Sequence, residues 1–549
     1  MRSSNAQVYI IGCFAAIGGL LFGYDIGVIS GVLTIRDFIT TFGDQDDVQR
    51  QTLRDETTGS IVGILQAGCF IGALCAGQAA DRLSRKYSIV VFSIIFTIGA
   101  ILQGAAVHLA MLLVGRFIAG LAVGALSMLV PVYQSELASK EVRGRLISLQ
   151  QFAITIGIAV SFWINFGTSK MQGSISWRLP LFLQLVPGII LGVGILFFPF
   201  SPRWLVSQNR DDEAIIVLAR IRSDGDTNNP QVQEEYGEIK AEIETEKEVS
   251  VNSYAKLLQP PIRRRLVLGV LIQIFQQLTG INAVMYYAPK IFKQAGLSDN
   301  SVSLLATGIT GVVNVCATIP AILWIDTWGR RPTMIYGAAV MALSMLTMGG
   351  LMGSHGRKVS ESSNSVTVLL DTQAVKYTII VFVYMFVAAF AMSWGCIGWI
   401  YPAEIFPMNM RSKGTSITTA ANWLFNLIIA FCVPVLITKI TYGVYLIFGI
   451  FCVIMATCVF LFYPETKQKT LEEMDMVFGD KRKRRKIKHG FNAERDNNSE
   501  DEPNTTVQRK KYIYRGPRLD TKKVYFSMLT SIPVFPEVTK QDLGKDMLF

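Results

Sequence analysis

The chain has 549 residues, of which 51% are hydrophobic and 17% charged, with a mean hydropathy of +0.38. That is too little charge for a soluble protein of this length, so the composition indicates an integral membrane protein. The net charge of +11 raises nucleic acid as a partner, but the basic residues are gathered into short segments between apolar runs, which excludes that reading.

Runs of roughly the ~20 residues needed to cross a bilayer lie near 8–32, 60–80, 87–107, 111–133, 147–166, 180–198, 264–290, 301–325, 333–353, 376–401, 412–438 and 441–463. The first is too long for the core of a cleaved signal peptide and continues through Asp25 without a small-residue cleavage site, so it reads as a retained span. Arg82, Arg85 and Lys86 follow the second run, and Lys140, Arg143 and Arg145 the fourth. Arg330 and Arg331 follow the eighth, Arg411 and Lys413 the tenth, and KRKRRK (481–486) the last. All fall on one side, which the positive-inside rule makes cytoplasmic, together with both termini. The first outer loop is acidic, with Asp44, Asp46, Asp47, Asp55 and Glu56. The eight cysteines lie within apolar runs, at neither pairing nor metal-binding spacings, and the three histidines are far apart. No cofactor is expected.

The two halves echo each other. DRLSRK begins at Asp81 and DTWGRR at Asp326, and the spacing of Glu136 to Arg143 is that of Glu404 to Arg411. Each motif follows an even-numbered run. Six spans, a charged segment and six more spans describe a parallel duplication. The boundaries are 1–200 for the N-terminal half, 201–265 for a cytoplasmic helical segment, 266–478 for the C-terminal half and 479–549 for a mostly disordered cytoplasmic tail. In the segment, Ala214, Val217, Leu218 and Ile221 share one helix face, which should lie against the ends of the bundle. The sequon at Asn504 is on the cytoplasmic side and should stay unmodified.

The seventh run organises the rest. Gln276, Gln277 and Asn282 sit inside it, with Tyr286 and Tyr287 following. An unpartnered amide in hydrocarbon costs several kcal/mol, so these groups should face the bundle. Amides both donate and accept, which suits a neutral polyhydroxyl ligand. The alternative is helix–helix adhesion. Gly280 lets the backbone bend among them.

GYDIGVISG (23–31), GQAADRLSRK (77–86), GRFIAG (115–120), ELASKEVRG (136–144), FSPRW (200–204), QQLTGIN (276–282), DTWGRR (326–331), the run from Gly398 to Arg411 and PETK (464–467) occur in this order. Together they resemble the sugar porter branch of the major facilitator superfamily, and fungal hexose transporters within it, over about residues 8–478. Three departures stand out. Phe200 replaces the family's usual Glu, which removes part of its cytoplasmic charge network. Ser84 stands where Gly is usual. Cys396 and Gly398 stand near common prolines, which leaves the hinge of the tenth span to Gly395 and Gly398.

The resemblance implies an all-α integral membrane protein of twelve transmembrane helices in two pseudo-symmetric six-helix halves, the major facilitator fold. It matches Gln151, Gln276, Gln277, Asn282, Asn314, Trp399, Asn422 and Asn426 individually to sugar-contacting positions. For Trp399 the alternative is a residue of the interfacial aromatic belt. Gln66 and Gln103 are read as interhelix bonds.

A carboxylate in mid-span costs about 2.5–3.5 kcal/mol on insertion scales, which marks Asp25 as functional. Arg116 lies at matching depth. The pair is either a permanent ion pair or a proton switch, and the resemblance favours the switch. Asp81, Arg82, Arg85, Glu136, Arg143, Asp326, Arg330, Arg331, Glu404 and Arg411 read as a cytoplasmic latch. The expectation is a plasma-membrane transporter of monosaccharides, glucose or another hexose, that co-transports a proton by alternating access. Its partners are the sugar, the proton and the bilayer. Facilitated diffusion and a non-transporting sugar sensor are the alternatives, and an enzyme is not expected.

Overall fold

The computed structural model describes residues 2–50, 53–139, 142–248, 257–260, 262–287, 291–292, 300–360, 366–370, 372–467, 469 and 474–478. The expected disordered tail, KRKRRK and the Asn504 sequon lie outside the described residues. Among the described residues, twelve helices are long and apolar enough to cross a membrane: Gln7–Val32, Asp55–Leu83, Arg85–Gly104, Leu109–Leu137, Arg143–Thr168, Ile175–Phe197, Ile262–Tyr286, Ser303–Trp328, Arg330–His355, Gln373–Ile405, Met410–Ile437 and Gly443–Phe462. Each coincides with one of the apolar runs.

The packing repeats after six spans. The first span packs on the fifth, the second and third on the fourth, and the third on the sixth. The seventh packs on the eleventh, the eighth and ninth on the tenth, and the ninth on the twelfth in the same way. The halves meet where the second span lies along the eleventh and the fifth along the eighth, a pairing that the same repeat relates. Without a hydrophobic drive between helices in lipid, such contacts depend on small residues that admit a neighbouring backbone. On the first span a Cβ at Gly23, Gly27 or Gly31 would collide with Ile154, Ser161 or Asn165 of the fifth. Gly68 and Gly72 interleave with Gly120 and Gly124 in the same way, joining the second span to the fourth.

Two spans are broken. The seventh stops at Leu278 and resumes at Ile281 through Gly280, whose φ of 87° is left-handed. This is the bend expected at that glycine. The tenth breaks at Ser393 (φ −130°, ψ −89°), between Gln373–Met392 and Trp394–Ile405. The expected hinge at Gly395 and Gly398 is therefore wrong, since both lie inside the second helix. Gly398 serves close approach instead, because a Cβ there would fall on the Gln276 amide.

Between the sixth and seventh spans, helices Pro202–Ser207, Asp211–Arg222 and Pro230–Glu248 pack on one another and on the ends of the first, fourth and eleventh spans. Ala214, Leu218 and Ile221 are buried as the amphipathic pattern requires. Arg222 ties the group down, pairing with Glu235 at 2.8 Å and donating to the Leu137 carbonyl at 3.0 Å. Between the ninth and tenth spans, strands β1 (Gly356–Ser360) and β2 (Val366–Leu370) form an antiparallel hairpin with Gly356 opposite Leu370.

Candidate functional site

The broken seventh span sets its amides at the interface of the halves. Gln273, Gln276 and Gln277 share one helix face, since residues three and four apart are neighbours. Asn282 donates to the Gln277 side-chain oxygen at 2.6 Å, across the break at Gly280. Gln277 donates to Asn422 at 2.9 Å, and Asn422 donates to Gln273 at 2.6 Å and to Gln276 at 2.7 Å. Gln276 donates to the Trp394 carbonyl at 3.0 Å, just past the break in the tenth span. From the other half, Gln151 accepts from the Trp399 indole at 3.2 Å. Trp399 is 4% exposed, which excludes the interfacial-belt alternative.

Gln151, Gln276, Gln277, Asn282, Asn314 and Trp399 line one enclosed cavity with Phe22 and Ile26. Its free space is about 40 Å³, little more than the ~30 Å³ share of one water. The polar groups are drawn together over a space too small for a sugar ring. The Asn314 side-chain oxygen is buried with no hydrogen-bond partner among the described residues. Asn422 and Asn426 stand behind this lining: Asn422 orders the glutamines, and Asn426 accepts from Tyr286 at 3.2 Å. Gln273, which sequence reasoning passed over, holds Asn422 and also donates to the Gly398 carbonyl at 2.8 Å. Its position one turn before Gln277 was the available signal. Gln66 makes the expected interhelix bond, donating to Tyr286 at 2.8 Å. Gln103 does not: its backbone and Cγ lie against Gly115, and its buried amide finds no partner among the described residues.

Asp25 and Arg116 meet as the depths required. Arg116 Nη1 is 3.7 Å from the Asp25 carboxylate, and both side chains are 1% exposed. The guanidinium is oriented by the Ile61 carbonyl, to which its Nε donates at 2.6 Å. Neither Asp25 oxygen accepts a hydrogen bond from the described residues. The pair is therefore held by charge at a distance that leaves the carboxylate oxygens open.

At the end of the bundle that carries the repeated motifs, two triads correspond. Arg85 lies 2.9 Å from Glu136 and 3.8 Å from Asp81, while Arg330 lies 2.7 Å from Glu404 and 2.9 Å from Asp326. The halves are joined there. Arg85 donates to the Ser412 hydroxyl at 3.1 Å, and the Arg145 backbone N–H donates to Asp326 at 3.0 Å. Arg143 reaches the Lys469 carbonyl at 3.5 Å, and Arg411 donates to the Phe406 carbonyl at 3.4 Å. Arg82 is exposed and makes none of these pairs, and the Arg331 side chain turns to Phe460. Glu465 was missed: it accepts from the Arg330 and Arg331 backbone N–H groups at 2.9 and 3.0 Å. Thr466 beside it donates to Glu404 at 3.0 Å. The PETK motif was the signal. Phe200, in place of the family's Glu, stacks on Trp204 at 5.5 Å and carries Lys86 at 4.8 Å and Arg210 at 5.4 Å from its ring. The ring's negative face attracts these cations where a carboxylate would otherwise pair with them.

A family profile described as "Sugar (and other) transporter" matches residues 11–478. The chain belongs to this sugar transporter family. The transporter is 40% identical over 484 residues to an MFS glucose transporter of Aspergillus flavus, covering 86% of this chain and 90% of that one. It is 37% identical to a high-affinity glucose transporter of Kluyveromyces lactis, covering 86% and 85%. Among solved structures, the proton:xylose symporter XylE bound to 6-bromo-6-deoxy-D-glucose matches with a TM-score of 0.74 and 30% identity, over 86% of this chain and 100% of that one. XylE from E. coli in an inward open conformation fits less well, with a TM-score of 0.62 at 29% identity over 86% and 99%.

Proposed function

We propose that this transporter carries a hexose, glucose foremost, across the plasma membrane by alternating access, and that a proton moves with it. The observation that carries the reading is the convergence of six polar or indole side chains from both halves on one closed cavity. Amides in such an array can exchange their mutual bonds for hydroxyls of a sugar, and the indole of Trp399 offers an apolar face to its ring. The Trp399–Gln151 bond joins the halves and must open as the sugar enters. Residues 1–200 and 266–478 would rock about this point, with 201–265 and both termini on the cytoplasmic side.

Proton coupling is supported by Asp25. Its buried carboxylate is stabilised by Arg116 but accepts no hydrogen bond from the described residues, so two opposing effects act on its charge. A group so balanced can take up and release a proton within the cycle. Tyr286 lies within electrostatic reach of Asp25 and belongs to the same short helix as Asn282. Movement of that helix would link the carboxylate to the sugar site. The glucose transporters named above and the proton:xylose symporter agree with sugar and coupling ion alike. The two triads would latch the cytoplasmic end while the outer side opens.

The test is uptake of labelled hexoses in cells lacking their own hexose transporters, with and without an uncoupler. Uptake against a gradient that the uncoupler abolishes is expected. Uptake that only equilibrates, with or without the uncoupler, would replace symport by facilitated diffusion. Binding without uptake would make the protein a sensor.

A further inference from the structure

On the outer surface of the bundle, away from the sugar site, a groove of about 390 Å³ runs between the start of the seventh span and the end of the twelfth. That volume falls within the ~300–1,000 Å³ of a small-ligand pocket. Val267, Leu268 and Leu271 form one wall, Cys458 and Phe462 the other, and Tyr463 closes the floor by donating to the Leu268 carbonyl at 2.9 Å. Val267 and Phe462 are 49% and 58% exposed, so the groove faces the hydrocarbon of the bilayer. At its mouth stand Arg263 and Arg264, both exposed, and neither has an acidic partner among the described residues. Several other arginines at this end are engaged, Arg85, Arg330 and Arg145 with carboxylates and Arg265 with the Ile405 carbonyl and the Phe478 ring, while Arg82 is exposed but does not line the groove.

We propose that this groove is a binding site for an anionic phospholipid, with the headgroup phosphate and carboxylate on Arg263 and Arg264 and one acyl chain between the seventh and twelfth spans. The argument is charge complementarity placed above an apolar slot. Two exposed guanidiniums at headgroup level attract anionic lipid, and guanidinium pairs with phosphate through two parallel hydrogen bonds. The slot beneath them selects a lipid over a soluble phosphate, because only a lipid fills it. Burial of hydrocarbon there does not depend on the leaflet, but the headgroup preference identifies the cytoplasmic leaflet, which is the anionic one. The site reaches the transport machinery by contact. Tyr463 packs on Tyr401 at 5.5 Å, and Tyr401 belongs to the helix that carries Glu404.

The test uses the purified full-length protein in phosphatidylcholine vesicles doped with phosphatidylserine, with the lipid retained through delipidation measured by mass spectrometry. Wild type should retain phosphatidylserine selectively. Arg263→Gln with Arg264→Gln should lower that affinity roughly thirty-fold, from about 1 kcal/mol per arginine. Leu271→Trp should lower it with both arginines present, and Arg220→Gln, on an intracellular helix, should not. The double variant should transport sugar like wild type in phosphatidylcholine alone, which establishes that it is folded. Equal retention by wild type and the double variant overturns the proposal. So does displacement of phosphatidylserine by soluble glycerophosphoserine, which would mean an anion site with no part for the acyl chain.

Discussion

Asn282 and Gln277 satisfy each other in the closed cavity, so a sugar that binds there replaces one hydrogen bond by another. Asn282→Ala and Gln277→Ala should each raise KM for glucose by the ~1–3 kcal/mol of a buried polar group left unmatched, about 5- to 150-fold. Surface expression should be retained, because the remaining amides still bond to Asn422 and to the tenth span. Transport assays on both variants check this, and unchanged kinetics in both would remove these residues from the site. Trp399→Phe keeps the aromatic face but deletes the bond to Gln151 across the halves. It should alter turnover more than affinity, read as a change in kcat with KM within a few-fold. These residues were legible because an amide in an apolar run must be accounted for. Gln273, Ser412 and Glu465 were harder to read. Their roles depend on partners far away in sequence, and a serine or a glutamate near a span end has many ordinary explanations.

Whether a span breaks depends on a local conformation, and the two broken spans show when a sequence reveals it. Gly280 adopts a left-handed φ, and a Cβ there would also lie 2.7 Å from the Phe448 ring. Gly280→Ala therefore meets the ~1–2 kcal/mol cost of a left-handed L-residue as well as a steric conflict. A lower melting temperature and slower glucose turnover are expected, and a variant unchanged in both would mean that the break is not held by this residue. The break at Ser393 carries no such mark, since serine is neither glycine nor proline, and the glycines nearby misdirect attention. Gly398 leaves room for the Gln276 amide, and Gly395 lies against Gln151 and Phe390. Helix ends at the two triads are legible for a different reason: the same Asp, Arg and Glu recur in both halves. Glu404→Gln keeps the shape of the C-terminal triad but removes a charge from the buried contact with Arg330. The closed end should lose on the order of 1.5–3 kcal/mol. In a background without the eight native cysteines, a cysteine at Met285 should then react more slowly with an impermeant maleimide added outside. Faster or unchanged labelling would mean that the triads do not hold that end shut.

At the scale of the whole molecule, twelve spans and their duplication follow from hydropathy, charge asymmetry and repeated motifs, and the structure returns the same helices. The closed cavity was not legible, since no sequence pattern states which conformation a rocking bundle adopts. Both routes to the site are shut. Arg85 bonds to Ser412 across the halves at one end, while nearer the other Gln66 donates across the halves to Tyr286, which Asn426 holds in place. A transporter in this form holds its site away from water on both sides, as alternating access requires midway through its cycle. The coupling claim then rests on Asp25, whose charge is opposed by burial and supported by Arg116. The most direct measurement is the external pH of lightly buffered proteoliposomes when glucose is added, alongside counterflow of labelled glucose. Wild type should alkalinise the medium as sugar enters, while Asp25→Asn should show no pH change yet retain counterflow. Wild-type glucose influx without alkalinisation would contradict proton symport and leave Asp25 and Arg116 as a structural pair.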